Sequence, residues 1–214
     1  MPRLSRMTVN DFVEQLSAGT PSPGGGSAAA LCGAMAAALG GLVSRLTLSK
    51  EAYEQSWEVM ERVRDETASL SDRLVYLMEE DTNAYLSFIE AGGLPSETPE
   101  EEEIKEQMRE QMMKKAVVVP LEVLRCCQEI LPLLRDVAAL GARVAVNDGM
   151  TGLCLLRATA VASCLTILTN LPRLYDENFC SSVQDEALSL MYDITSEIDR
   201  ANEHYVKALL KLRE

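Results

Sequence analysis

From Gly24 to Ser44 the chain reads GGGSAAALCGAMAAALGGLVS, a run with no charged residue in which most side chains are no larger than a methyl group. So little bulk lets backbone approach backbone, and the opening glycines are free to adopt conformations closed to other residues. Three structures suit such a run. A membrane-spanning helix needs ~20 strongly apolar residues; the uncharged stretch from Ala28 to Val43 falls short, and its alanines and glycines gain little in lipid. A phosphate-gripping loop needs a lysine and a hydroxyl after its glycines, where this sequence has Ser27-Ala28-Ala29-Ala30. The third is a helix from about Ser27 to Thr47 packed closely through Ala28, Cys32, Gly33, Ala36, Ala37, Gly40 and Gly41. It would be entered from a loop over Thr20 to Gly26 whose N–H groups are free to cradle an anion or a ring, or make only a tight turn into a close-packed or intersubunit helix.

Apolar residues recur at helical spacing over the rest of the chain, and no run of alternating or β-branched residues reads as a strand, so the expected class is all-α, an up-and-down bundle in one domain over residues 1–214. Thr8 is placed to cap a short first helix ending before Gly19. A long pattern runs from Lys50 to about Ala91 and stops at Gly92-Gly93. Thr98-Pro99-Glu100-Glu101 has the form of a capping box with proline in the first turn. The helix it opens is expected to kink or restart at Pro120, with a second disturbance at Pro132, before Gly141. Another helix is expected from Gly149 to Leu171, stopped by Pro172, and a last one from about Asp176 to Arg213 with Leu209 on its face.

The charge balance excludes several functions. Thirty-three acidic against 20 basic residues leave a net charge of −13, which repels a nucleic acid backbone unless the cations cluster; only Lys114-Lys115 do. A single histidine, His204, rules out a histidine-based triad or a multi-histidine metal site within one chain. Six cysteines without a CxxC suit reduced core thiols better than a disulfide framework or zinc. The N-terminus MPRLSRMTVNDF lacks the apolar run of a secretion signal, which points to the cytoplasm. Acid–base chemistry is left to carboxylates, lysines, tyrosines and cysteines.

One carboxylate stands out. The inward stripe of the long third helix passes through Leu70, Leu74, Leu77, Asp81, Tyr85 and Phe88, so Asp81 occupies a position where leucine is expected. A buried carboxylate is either paired, as in a core salt bridge, or pushed up in pKa, and a raised pKa suits a general acid at neutral pH. Asp148, in Val146-Asn147-Asp148-Gly149, stands directly before a predicted helix and reads as a cap. Taken together, the glycine-lined helix start and the two acids are candidates to frame one pocket.

At these residues the sequence resembles the cyclodeaminase/cyclohydrolase family of tetrahydrofolate enzymes, the C-terminal half of formiminotransferase-cyclodeaminase and its stand-alone bacterial relatives. Pro21-Ser22-Pro23-Gly24-Gly25-Gly26-Ser27-Ala28-Ala29-Ala30 resembles the family signature and Glu80-Asp81-Thr82-Asn83-Ala84-Tyr85 its acid-plus-aromatic segment. Leu94-Pro95 with Thr98-Pro99-Glu100-Glu101 resembles its linker, and Ala116 to Val123 its PLEV region. Val146-Asn147-Asp148-Gly149 corresponds to a Ser-Asp segment, with Asn147 where the family has serine.

The resemblance implies a dimeric helical enzyme with a folate crevice at the glycine-rich loop and Asp81 as catalytic acid. It also implies substrate contacts from Pro23, Gly24, Gly25, Gly26, Ser27, Tyr85, Asn147 and Asp148. Lys50, Lys114, Lys115 and Arg45 are candidate cations for an anionic glutamate tail. The implied reaction is formiminotetrahydrofolate cyclodeamination, with methenyltetrahydrofolate cyclohydrolysis as the alternative and a catalytically silent helical scaffold dimer as the rival. No metal, no cofactor beyond the folate substrate, no nucleic acid and no membrane are expected.

Overall fold

The computed structural model describes residues 3–211 and is all helical among them. Six α-helices are α1 (Val9–Ser17), α2 (Gly25–Leu48), α3 (Trp57–Gly92), α4 (Pro99–Leu140), α5 (Val146–Asn170) and α6 (Glu177–Lys211). The predicted end of the last helix at Arg213, like the Leu209 side chain expected on its face, lies outside the described residues.

The capping residues act as the sequence predicts. Thr8 and Thr98 each close a full capping box with the acid three residues on, Asp11 and Glu101, and Gly19 takes the left-handed φ of +72° just past α1. A 3-10 segment, Glu51–Ser56, precedes α3, so the predicted single pattern from Lys50 is broken once.

α2 is the centre of the bundle, with α3 on one flank and α5 on the other, both antiparallel to it, and α4 across its inner side. Its small residues decide how close the neighbours come. A Cβ on Gly33 would lie 3.1 Å from Thr159 and 3.2 Å from Leu74; one on Gly40 would lie 3.0 Å from Leu134 and 3.2 Å from Thr67. Ala30, Ala36, Ala37 and Val43 are fully buried between them, whereas Ala28 and Cys32, expected on the packed side, are only half-buried. α6 lies outside α4 and α5, held by a core of Val183, Ile194 and Ile198 and by ion pairs Arg125–Glu186, Arg135–Glu197 and Arg157–Asp199.

Two sequence expectations are corrected. Of the kink or restart expected at Pro120, the restart does not occur: α4 runs as one helix of 42 residues through Pro120 and Pro132. A proline inside a helix leaves the carbonyl four residues back without its N–H donor; for Pro120 that carbonyl is Ala116, and the Asn170 side chain at the end of α5 donates to it at 3.2 Å. Packing on both flanks and this substitute donor hold the helix together. α5 starts at Val146 rather than near Gly149, so Asp148 lies within its first turn instead of capping it. The cysteines are all free; Cys126, Cys127 and Cys164 are core thiols, but Cys154 is exposed on the outer face of α5.

Candidate active site

The N-terminus of α2 meets α3 at Asp81. The Ser27 hydroxyl donates to Asp81 Oδ2 at 2.8 Å, and Oδ1 lies where the Cβ of any residue other than glycine at position 26 would stand, 2.0 Å from that ideal position. Gly26 is therefore required by space and not by backbone conformation. Burial pushes the Asp81 carboxyl above its ordinary range, opposed in part by hydrogen bonding from the side chain and backbone of Ser27. The side chain remains only partly covered, beside the exposed Gly25, which leaves a proton on it within reach of a bound molecule.

A chain of hydroxyls supports this acid. The buried Ser22 donates to Thr82 Oγ1 at 2.8 Å, and Thr82 Oγ1 is 3.2 Å from Ser27 Oγ. Ser22, Ser27 and Thr82 are all buried, so the rotamer of Ser27, and with it the position of Asp81, is fixed from beneath. Sequence reasoning missed Ser22 and Thr82. The available signal was local: Thr82 follows Asp81 on a helix and so borders the same face, and Ser22 stands inside the loop that leads to the glycines. Pro23 is buried behind them.

Further along the same stripe of α3, Tyr85 and Phe88 are half-buried, and the Arg109 guanidinium sits 5.6 Å over the Phe88 ring. Arg109, Arg173, Tyr175, Phe88, Glu106 and Glu110 line a cavity of about 340 Å³. Arg109 Nε is buried there without a hydrogen-bond partner. These arginines were not among the cations selected from sequence.

The other candidates lie elsewhere. Lys114 is bound to Asp176 at 2.6 Å and stacks over Phe179, which turns it toward α6, and its neighbour Lys115 is exposed. Lys50 stands beyond the C-terminal end of α2; at the helical rise, its distance from Ser27 is about 35 Å. Arg45 is in the last turn of α2. Asn147 and Asp148 belong to that far end too. Gly149 packs toward Val43, the Ala142 N–H donates to Thr47, and the Arg143 N–H donates to Tyr53. Within one chain, then, Pro23 to Ser27 and Asp81 form one cluster with Tyr85 a turn beyond. Lys50, Asn147 and Asp148 lie toward the opposite end of α2, so within one chain Asp148 does not join Asp81 and the glycine-lined helix start. Among the described residues no group of three or more His, Cys, Asp or Glu side chains is placed to hold a metal ion.

A solved structure described as formiminotetrahydrofolate cyclodeaminase from Thermotoga maritima superposes on 95% of this chain and 99% of its own with a TM-score of 0.81 at 24% identity, a likeness of fold. Methenyltetrahydrofolate cyclohydrolase of Methylorubrum extorquens is 30% identical over 196 residues, 92% of each chain. Formimidoyltransferase-cyclodeaminase of Gallus gallus is 30% identical over 203 residues, 95% of this chain but 37% of that protein, so the chain spans about a third of the longer relatives. The profile described as Formiminotransferase-cyclodeaminase matches residues 8–189, a span that takes in the glycine loop, Asp81 and the Asn147-Asp148 turn alike. With profile, relatives and fold in agreement over almost the full length, the chain belongs to the formiminotransferase-cyclodeaminase family.

Proposed function

We propose that this protein acts on the one-carbon bridge of tetrahydrofolate, with Asp81 as general acid and base, and that it opens 5,10-methenyltetrahydrofolate with water to give 10-formyltetrahydrofolate. The observation that carries the reading is the Asp81 carboxylate seated on Gly26 and hydrogen-bonded by Ser27. The end-to-end match to a methenyltetrahydrofolate cyclohydrolase favours water as the nucleophile. Ring opening requires three proton movements. Water adds to the methenyl carbon and loses a proton, the ring nitrogen N5 gains one as its bond to that carbon breaks, and the hydroxyl left on that carbon releases its proton to solvent as the formyl C=O forms, so one proton is released overall. A carboxyl whose pKa burial has raised serves the first two, taking the first proton and returning the second. In its charged form it also faces the cationic amidinium of the substrate.

The cyclodeaminase reading uses the same acid. N10 attacks the formimino carbon, the tetrahedral carbon collapses, and nitrogen leaves as ammonia once protonated. The solved cyclodeaminase that shares the fold over 99% of its length supports keeping this second reading. Neither reaction needs a metal or redox cofactor, and we propose none beyond the folate. We also propose a homodimer working in the cytoplasm.

The near-ultraviolet absorption of the methenyl compound provides the assay. Wild-type protein is expected to speed its loss, and Asp81→Asn to slow turnover by about 10²- to 10⁴-fold, the usual worth of a positioned acid–base group. Formation of the band from 5-formiminotetrahydrofolate, without accelerated loss of the methenyl compound, selects the cyclodeaminase. Silence with both substrates rejects the enzymatic reading and leaves the helical scaffold.

A further inference from the structure

We infer that Ser22 and Thr82 are positioning residues that act on Asp81 through Ser27: the three hydroxyls form a one-way chain of donors that ends on the carboxylate and favours its charged form. Thr82 gives the chain away. Of the five buried threonines among the described residues, four donate to the carbonyl four residues back in their own helix, Thr47 to Val43, Thr67 to Val63, Thr159 to Leu155 and Thr195 to Met191. That is the ordinary arrangement for a hydroxyl inside a helix. Thr82 is the exception. Its oxygen is turned out of α3 instead, to Ser22 at 2.8 Å and to Ser27 at 3.2 Å.

The direction of the chain follows from its protons. Each hydroxyl has one to give and two lone pairs to receive with. Ser27 gives its proton to Asp81 Oδ2 at 2.8 Å, and Ser22 gives its own to Thr82. The contact between Thr82 and Ser27 is therefore left to the Thr82 proton, and all three bonds point toward the carboxylate. All three hydroxyls are buried, and hydrogen bonds in series polarise one another where the dielectric is low.

No charged group supplies this effect instead. α2 carries no charge before Arg45 in its last turn, and the loop from Ala18 to Gly24 carries none. Asp11 of α1 is bound to Thr8. On α3, Glu79 accepts from the Ser5 N–H with Arg3 nearby, and Glu80 accepts from the Asn83 amide. Arg109 of α4 is paired with Glu106, and Arg157 of α5 with Asp199. Burial is the largest influence on the Asp81 carboxyl and disfavours its charge, while the opposing influence comes from Ser27 and from no ion. Burial alone makes an acid that gives a proton readily and takes one poorly. The hydroxyl chain counters it, so that the carboxylate can take a proton from water before returning one to N5. That use rests on the folate reading above; the setting of the charge does not.

The test is a titration of Asp81 by carbon-13 NMR of the aspartate carboxyls, its signal being the one missing from Asp81→Asn. Ser27→Ala is expected to raise the midpoint by about one unit, the loss of a hydrogen bond to a charged group. Thr82→Val keeps the shape without the hydroxyl and is expected to raise it by about 0.3 unit, the share that polarisation along the chain contributes. Ser22→Ala, one bond further out, is expected to give a smaller rise. Thr82→Ser is expected to keep the wild-type midpoint, and so is Thr67→Val, the same change at a threonine bonded to its own helix. An unmoved or lowered midpoint in Thr82→Val overturns the chain, as does an equal rise in Thr67→Val. Should Thr82→Val fail to fold, an unmoved or lowered midpoint in Ser22→Ala overturns it. In turnover, the acid limb of kcat/KM is expected to move up with the midpoint in each variant, whereas a merely structural role lowers the rate and leaves the limb in place. If the wild type turns over neither folate while the midpoints rise in this order, the folate reading fails and the chain stands. Turnover with unmoved midpoints overturns the chain and leaves that reading intact.

Discussion

Replacing Gly26 by alanine isolates the geometry on which the chemistry depends. The added Cβ would stand 2.0 Å from Asp81 Oδ1, 2.6 Å from its Cγ and 2.8 Å from Oδ2, where ordinary van der Waals separation begins near 3.4 Å. The carboxylate must therefore retreat by more than about 1 Å, a displacement of the size that costs roughly 10²-fold in rate when a reacting group is involved. The 2.8 Å bond from Ser27 cannot survive that movement in its present form. Stability changes far less. Gly26 is in the first turn of α2, its φ is not in the left-handed region, and alanine is favoured over glycine in helices by up to about 1 kcal/mol, which offsets the weakened Ser27 bond. The expected result is a variant with near wild-type melting temperature and kcat/KM for methenyltetrahydrofolate reduced about a hundredfold. Full retention of kcat/KM, or a fall in kcat/KM that merely follows a collapse in melting temperature, would refute the assignment of the Gly26–Asp81 approach to catalysis.

Titration of Asp81 should also appear in stability. Its pKa is raised in the folded protein by burial, so the folded state holds the proton more tightly than the unfolded one, and stability is lost as pH rises from the ordinary aspartate value through the folded value. Asp81→Asn removes that loss: its melting temperature is expected to exceed that of the wild type at neutral pH, with the gap closing near pH 4; a gap independent of pH contradicts this. Gly40→Ala places a methyl 3.0 Å from Leu134 and 3.2 Å from Thr67, so overpacking should outweigh helix propensity by about 1 kcal/mol and lower the melting temperature by about 2–4 °C, whereas Gly92→Ala meets nothing within 4 Å and should leave it unchanged. Asn170→Ala should cost about 1–2 kcal/mol by stripping the Ala116 carbonyl of its donor, and most of that cost should vanish in a Pro120→Ala background, where the restored N–H bonds the same carbonyl; equal costs in both backgrounds, in a double-mutant cycle by urea denaturation, would refute the substitution of one donor for the other.

Where the sequence spoke through local chemistry it was legible. Thr8 and Thr98 announce their capping boxes, Gly19 its left-handed turn, and the spacing from Leu70 to Phe88 shows that Asp81 interrupts an apolar stripe. Each of these is decided within one or two helical turns. The failures have the opposite character. Pro120 reads as a break because its remedy, the Asn170 side chain, is 50 residues away in sequence. Asp148 reads as a cap because the Arg143–Ala145 3-10 turn that moves the helix start upstream has no strong residue signal. Asp148 and Asp81 read as candidates for one pocket because a list of residue types carries no information about which end of a 24-residue helix each one lies beside.

The composition of α2 is explained by two demands made at once. On its inner side Gly33 and Gly40 bring α3, α4 and α5 to contact distance, and a larger residue at either point would push apart the helices that hold Asp81 against Gly26. On its outer side the helix has no charge before Arg45, although this flank is not covered by the rest of the chain. A helix that had only to fill a core would carry larger apolar residues inward and polar ones outward. This one is small inside and apolar outside, which is the pattern expected when the acid must sit hard against the helix start and the outer face must be covered by something other than this chain.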